Sequence, residues 1–273
     1  AKRFHPYIKR DHPRSDPVPA AQRHIDRLRV ETMLSPGLND AAVALADALL
    51  VSAQPQETLG MTETLGRVAS TASNLPEGDE ARTVGTMLNA RARAFWQLGR
   101  SDEAIQTQEL ATRMAAADDD TEQKLRLAVG YLSLHRPGLA RQSVKDLGGM
   151  TGHGEAIVQL IQLHAALQLN DAKALRQAHE GLAAVRKAAP TYTMMGLVAD
   201  NRLDDAATLL AERLADPEER GLALLEVQDL RHWPLLPAEE EFFARWTQFT
   251  ARADVLAAVN KVGRIERYPL FAE

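Results

Sequence analysis

Residues 92–105 read ARAFWQLGRSDEAI, and this stretch decides the fold. Its first half favours helix, and Gly99 lies where that helix would end in the left-handed conformation that glycine adopts without steric penalty. Ser101 can cap the next helix, and Asp102 and Glu103 follow in the first turn, where acidic side chains interact favourably with the helix dipole. The stretch therefore predicts two helices joined by a tight turn.

The whole chain favours the same kind of structure. It has 273 residues, of which 45% are hydrophobic and only 5% aromatic. Ala and Leu dominate, and both are strong helix formers, whereas strands prefer β-branched and aromatic residues. Four prolines at positions 6, 13, 17 and 19 oppose helix at the start. We therefore expect an extended basic arm over residues 1–18 and one all-α domain over 19–273.

The stretch around Gly99 resembles the turn region of a tetratricopeptide repeat, a 34-residue helix–turn–helix unit. In that pattern a small residue lets two helices approach, an aromatic residue three positions later fills the gap, Leu-Gly ends the first helix, and Ala begins the packing face of the second. Ala92, Phe95, Leu98-Gly99 and Ala104 take these positions. Arg91 and Gln108 depart from the family, which usually has Leu and an aromatic residue there, and the closing Pro is missing near Ala116.

Weaker copies follow towards the C-terminus. Their helix–turn–helix positions are taken by Leu127, Ala128, Tyr131, Leu134 and Ala140, by residues 169–171 leading to Ala174, and by residues 201–206, where Asn201 tolerates the left-handed conformation. The marker alanines Ala104, Ala140, Ala174 and Ala206 are 36, 34 and 32 residues apart. The resemblance is clearest over residues 80–250 and implies a right-handed solenoid of antiparallel helix pairs. Another α/α array or an irregular bundle is the alternative.

Local signals place further helices. A first helix is predicted over residues 19–34, with Ile25, Leu28 and Met33 on one face, and Asn39 is a plausible N-cap of the next. Towards the end, a helix is predicted over residues 217–230. The last 41 residues hold seven of the thirteen aromatic residues. These aromatic residues are interpreted as a seal over the open end of the array, or alternatively as a docking surface.

The resemblance also predicts a partner-binding groove, since first helices line the concave face of such a solenoid. In the best unit the outward positions are occupied by Asn89, Arg93, Trp96 and Gln97. Trp96 offers a large apolar face and an N–H donor, a combination enriched at interface hot spots. The alternative is that Trp96 packs against the preceding helix pair.

Residue patterns for catalysis are weak. The chain has no cysteine, no His-Glu-x-x-His and no Gly-x-Ser-x-Gly. His153 with Glu155, or His5 with Asp11 and His12, could share a site, but loop histidines are usually solvated. We therefore expect no catalytic residue, no metal site and no cofactor.

The charge pattern bears on the partners. Residues 1–30 hold eight basic residues against three acidic ones in a chain of net charge −5, so the arm could pack on the chain's own acidic body or grip an acidic partner, a membrane surface or nucleic acid. The acidic remainder of the chain would repel phosphate, which argues against nucleic acid as a partner. No apolar run in the sequence is long enough to cross a membrane. Arginine supplies 25 of the 32 basic residues, which favours a bacterial origin. Either the cytoplasm or the periplasm would suit the chain.

Three functions follow as hypotheses. The first is a non-catalytic scaffold that binds a protein or peptide, as an accessory subunit of a larger assembly. The second is a sensor module that binds a small ligand or signalling peptide in the superhelical groove. The third is an enzyme with an unfamiliar helical site that uses His153 and Glu155.

Overall fold

The computed structural model describes residues 17–72, 76–115, 120–147, 149–232 and 234–271. This part of the chain is all-helical apart from two short strands that pair with each other, so the all-α prediction is confirmed. The helices are α1 Pro17–Leu34, α2 Asp40–Val51, α3 Pro55–Met61, α4 Glu63–Thr71, α5 Gly78–Gln97, α6 Ser101–Met114, α7 Thr121–Ser133, α8 Pro137–Val144, α9 His153–Leu169, α10 Ala172–Val185, α11 Pro190–Ala199, α12 Leu203–Ala215, α13 Arg220–Glu226, α14 Glu239–Thr250 and α15 Ala253–Val262. The strands are β1 Asp229–Arg231 and β2 Arg267–Phe271.

The described residues fall into two compact units. One, here called the N-terminal unit, consists mainly of residues 17–127. The other, the C-terminal unit, consists of residues 128–229 and 235–267. The prediction of one continuous domain over residues 19–273 stays a prediction. The predicted arm lies outside the described residues except for its last two, which instead begin α1.

Among the described residues, five helices end in the same turn, which the sequence predicted most clearly at Gly99. Each has one residue in the left-handed conformation just after its end, and the next helix begins two residues later. The left-handed residues are Ala53 (φ 61°) and Gly99 (φ 70°) in the N-terminal unit, and His135 (φ 54°), Asn170 (φ 54°) and Asn201 (φ 57°) in the C-terminal unit. We call α2, α5, α7, α9 and α11, which precede these turns, the first helices.

A shared hydrogen bond closes all five turns. The backbone N–H after the left-handed residue donates to the carbonyl five residues earlier, as in a Schellman motif. These bonds are Gln54 to Leu49 (2.8 Å), Arg100 to Phe95 (2.9 Å), Arg136 to Tyr131 (2.8 Å), Asp171 to Ala166 (2.9 Å) and Arg202 to Leu197 (2.8 Å). Each bond closes the end of a first helix, where the regular supply of intrahelical donors stops.

The packing position of the second helix lies five residues after the left-handed residue. Ala104, Ala140 and Ala206 occupy it, as predicted, and are fully buried. The prediction for Ala174 is wrong by one residue. Because the left-handed residue of that turn is Asn170, Leu175 takes the position, and the backbone N–H of Ala174 instead donates to the Asp171 side chain at 3.0 Å.

Of the other local predictions, some are confirmed and some are wrong. Asn39 caps α2, since its side-chain oxygen accepts from the backbone N–H of Ala42 at 3.0 Å. Ser101 is not an N-cap, because it is already the first residue of α6. Met33 is not on the buried face of α1: Ile25 and Leu28 are buried, whereas Met33 is 81% exposed. The helix predicted over residues 217–230 ends at Glu226, and its predicted end forms part of β1.

Each unit has its own buried apolar clusters. In the N-terminal unit α5 supplies residues to two of them: one with Ala42, Ala46 and Leu50 of α2, the other with Leu110, Ala111 and Met114 of α6. In the C-terminal unit the largest cluster joins α11 and α12 to Phe249 of α14 and to Val255 and Val259 of α15. The first helices thus contribute core residues in both units.

Gly99→Ala and Gly138→Ala should change stability in opposite directions. Both positions have open space where the new Cβ would lie. Gly99 is left-handed, so Ala should lower the free energy of unfolding by about 1 kcal/mol, whereas Gly138 lies inside α8, where Ala should raise it by up to about 1 kcal/mol. Urea unfolding followed by circular dichroism measures both. Equal shifts of the same sign would contradict the importance of the left-handed turn.

Candidate partner-binding face

Positions in each first helix are counted backwards from its left-handed residue. In α5 the predicted groove residues Asn89, Arg93, Trp96 and Gln97 lie at positions −10, −6, −3 and −2 from Gly99. Positions −6 and −2 are one turn apart, so their side chains lie on the same side of the helix.

The prediction that Asn89 points outward is wrong. Asn89 is only 4% exposed, because it lies between two other buried amides. Its Nδ2 donates to Oε1 of Gln123, and its Oδ1 accepts from Nε2 of Gln108. Gly85, one turn earlier, leaves room for Gln123, since a Cβ there would lie 2.8 Å from the Gln123 Nε2 atom. The amides therefore join α5, α6 and α7 inside the N-terminal unit.

Arg93 and Gln97 lie at the outward positions but bond to a neighbouring first helix. The Arg93 guanidinium is 2.6 Å from a carboxylate oxygen of Asp47 in α2, and the Arg93 side chain is 19% exposed. Nε2 of Gln97 donates to the Leu50 carbonyl at 3.0 Å. Trp96 is half-buried. Of the four predicted residues, Trp96 thus keeps part of an apolar side chain accessible at this face.

A second glutamine repeats the role of Gln97 in the C-terminal unit. Gln168 also lies at position −2, and its Nε2 donates to the carbonyl of Leu132 at 2.9 Å. Leu132 and Leu50 are both three residues before a left-handed residue. Each of these carbonyls also accepts the backbone N–H of the left-handed residue, from Ala53 at 3.1 Å and from His135 at 3.0 Å, so the glutamine is its second donor. The two glutamines therefore tie neighbouring first helices together, a repeat that the sequence analysis missed.

The two departures from the family pattern have a structural role in the N-terminal unit. Arg91 donates to the Leu59 carbonyl at 3.1 Å, and its guanidinium carbon lies 4.9 Å from the centre of the Phe95 ring. Gln108 belongs to the buried amide group around Asn89. Polar groups thus replace the apolar contacts that the family pattern would supply at these positions.

In the C-terminal unit helix α14 lies against the first helices. At its start the backbone N–H of Ala238 donates to the Ser133 carbonyl at 3.4 Å, and the Ser133 hydroxyl donates to Glu239 at 2.8 Å. One turn further, the Phe242 ring contacts the ring of His164 in α9, with centroids 5.8 Å apart. Nη1 of Arg245 then donates to the Ala199 carbonyl at the end of α11.

These contacts fall on the positions that were predicted to face a groove. Ser133 and Ala199 lie at position −2 of α7 and α11, and His164 lies at position −6 of α9. Phe249, at the end of α14, is fully buried beside Met194 and Val198. In the C-terminal unit this side of the first helices therefore already carries a helix of the same chain.

His164 is held neutral in this contact. Its pKa is lowered from 6.5 to about 4, first because burial disfavours the imidazolium and second because the positive charge of Arg245 is close. A neutral ring can pack against Phe242 without the cost of burying a charge.

His153 and Glu155, which were considered for catalysis, each have another partner in the described structure. His153 is exposed, and its ring lies edge-on to Tyr192 with centroids 6.1 Å apart. Glu155 accepts a hydrogen bond from Gln159 at 2.7 Å. Among the described residues, no three His, Asp or Glu side chains are arranged to hold a metal ion. His5, Asp11 and His12 lie outside those residues.

In the part of the chain that the structure covers, every helix is too short or too polar to span a membrane. Comparison of the chain with family models, with curated protein sequences and with solved structures finds no match.

Replacing the repeated glutamines by glutamate should destabilise the protein. Gln97→Glu and Gln168→Glu each place a carboxylate against the carbonyl that the amide now donates to, so we expect each to lower the free energy of unfolding by about 2 kcal/mol. Gln106→Glu, on the exposed side of α6, is the matched control and should change it by less than about 0.5 kcal/mol. Urea denaturation measures all three. If all three variants changed the free energy of unfolding by similarly small amounts, the hydrogen bonds of the Gln97 and Gln168 side chains would contribute little to stability.

Removing His164 should weaken the pH dependence of stability. Since its folded-state pKa is about 4 and its unfolded value about 6.5, the unfolded chain binds the proton more readily. The free energy of unfolding should therefore fall as pH drops through this window, by about 1–3 kcal/mol from this group, and level off below it. His164→Gln should lose this component in urea titrations between pH 7 and 4, whereas Leu169→Ala, exposed on the same helix, should keep it. Parallel curves for His164→Gln and wild type would contradict the assignment.

Proposed function

We propose that the protein is a non-catalytic scaffold that binds protein or peptide segments on the sides of its first helices. The observation that carries this proposal is the turn repeated at Ala53, Gly99, His135, Asn170 and Asn201. A turn of constant geometry places successive helix pairs in the same way, which is how repeat proteins build extended binding surfaces. The arrangement we propose is a right-handed, tetratricopeptide-like solenoid that serves as an accessory subunit of a larger assembly.

In the N-terminal unit the proposed contact residue is Trp96. Its neighbours Arg93 and Gln97 are already bonded to α2, so they hold the face rigid and leave Trp96 as its accessible aromatic side chain. Preformed surfaces bind with a smaller loss of conformational entropy. A half-buried Trp beside ordered polar side chains is typical of interface hot spots. Residues 1–18 are proposed as a second, electrostatic contact with an acidic partner.

Trp96→Ala should remove most partner binding. Tagged wild-type protein, Trp96→Ala and the control Val68→Ala, a 53% exposed apolar side chain on α4, are used to capture partners from a bacterial host. For a partner purified from the wild-type capture, we expect Trp96→Ala to weaken binding by at least about 30-fold, since hot-spot truncations cost about 2 kcal/mol or more. Val68→Ala should bind like wild type. Equal affinity of Trp96→Ala, with an unchanged circular dichroism spectrum, would contradict the proposed face.

A further inference from the structure

Helix α14 makes its polar contacts with the ends of two first helices. The backbone N–H of Ala238 reaches the carbonyl of Ser133, the last residue of α7, and the Arg245 guanidinium reaches that of Ala199, the last residue of α11. Carbonyls at helix ends lack intrahelical donors and lie at the negative end of the helix dipole, so they attract N–H donors and cations. These acceptors belong to the first helices and are available to any donor of suitable spacing.

The apolar contacts of α14 follow one helical stripe. Phe242, Trp246 and Phe249 recur at spacings of four and three residues, as in an amphipathic helix that lies in a groove. Phe242 packs on the cluster that contains Leu163 and Leu182, and Trp246 packs on the cluster of α11 and α12. The surface therefore accepts a helix with aromatic side chains at these intervals and an arginine between them.

The aromatic side chains in the first half of α14 are less buried than the one near its end. Phe242, Phe243 and Trp246 are half-buried, whereas Phe249 is fully buried. Glu240 and Glu241 are exposed beside them. Half-buried aromatic side chains contribute only part of the burial free energy of a core residue. An equivalent helix from another molecule can therefore compete for the same contacts.

We propose that the side of α7, α9 and α11 beneath α14 is a binding surface for an amphipathic helix of a partner protein, with α14 as the competitor that such a helix displaces. The partner helix carries two or three aromatic residues at the spacing of Phe242, Trp246 and Phe249 and a basic residue near the position of Arg245. The inference rests on the proposed function, because both assign binding to first-helix faces. It concerns the C-terminal unit, however, whereas Trp96 lies in the N-terminal unit.

The test uses the full chain and a synthetic peptide of residues 235–252 that carries a fluorescein label. The variant Phe242→Ser with Arg245→Ala weakens the docking of α14 in cis. Thr247→Ser with Gln248→Asn changes two exposed residues of the same helix and is the matched control. A second peptide carrying Phe242→Ser and Arg245→Ala controls for unspecific binding. Fluorescence polarisation measures peptide affinity, and hydrogen exchange of residues 239–250 reports the release of α14.

We expect the docking variant to exchange these amides at least tenfold faster than wild type and to bind the peptide at least tenfold more tightly. A competitor in cis reduces the apparent affinity by the fraction of molecules in which the surface is open. The control variant should match wild type, and the altered peptide should not bind. A benzophenone in place of the Phe243 side chain of the peptide should cross-link to α7, α9 or α11.

Several results would overturn the proposal. They are unchanged amide exchange in the docking variant, release of α14 without peptide binding, and cross-links outside these three helices. Dimerisation of the docking variant in light scattering, with α14 docked on a second copy, would assign the surface to self-association instead. None of these results depends on Trp96, so they leave the partner-capture experiment as a separate test of the proposed function.

Discussion

The left-handed residue at the end of each first helix is the constraint on which the rest of the structure depends. It reverses the chain within two residues and allows the following N–H to close the helix end. Because the turn is the same each time, a long side chain at position −2 can reach the same carbonyl of a neighbouring first helix in different parts of the chain. Gln97 and Gln168 therefore bind corresponding carbonyls although other helices separate them in sequence.

The sequence predicts such a turn only where the left-handed residue is one that favours this conformation. Gly99 and Asn201 could be predicted for this reason, and both are left-handed. Ala53 and His135 give no such signal, because a side chain at positive φ costs about 1–2 kcal/mol and neither residue lowers that cost. Their conformation is imposed by the closing hydrogen bond and by packing. The one-residue error at Ala174 has a related cause: the Asn170 turn is followed by both Ala174 and Leu175, and only the turn geometry decides which one lies five residues after the left-handed residue.

The candidate site was harder to predict than the fold, because its residues depend on partners from other helices. Asn89 was expected to point into the groove, but Gln108 and Gln123 satisfy its amide inside the unit. Both partners lie in other helices, and the sequence around Asn89 does not show how those helices align with α5. Arg93 was assigned to the correct side of α5, yet its pairing with Asp47 requires α2 and α5 to be neighbours. The periodicity of a sequence shows on which side of a helix a residue lies, but it does not show which other helix packs against that side.

What covers positions −6 and −2 of the first helices differs between the two units. In the N-terminal unit the Arg93–Asp47 ion pair and the hydrogen bond from Gln97 to Leu50 hold α5 against α2, and Trp96 stays half-buried. In the C-terminal unit His164 cannot pair with a carboxylate in this way, and its neutral ring instead supports Phe242. Since Phe249 is buried more completely than the aromatic residues before it, separation of α14 from the first helices should cost least at the Glu239 end. A competing helix would therefore gain its first contacts beside Ser133 and His164, with the end of α14 still anchored.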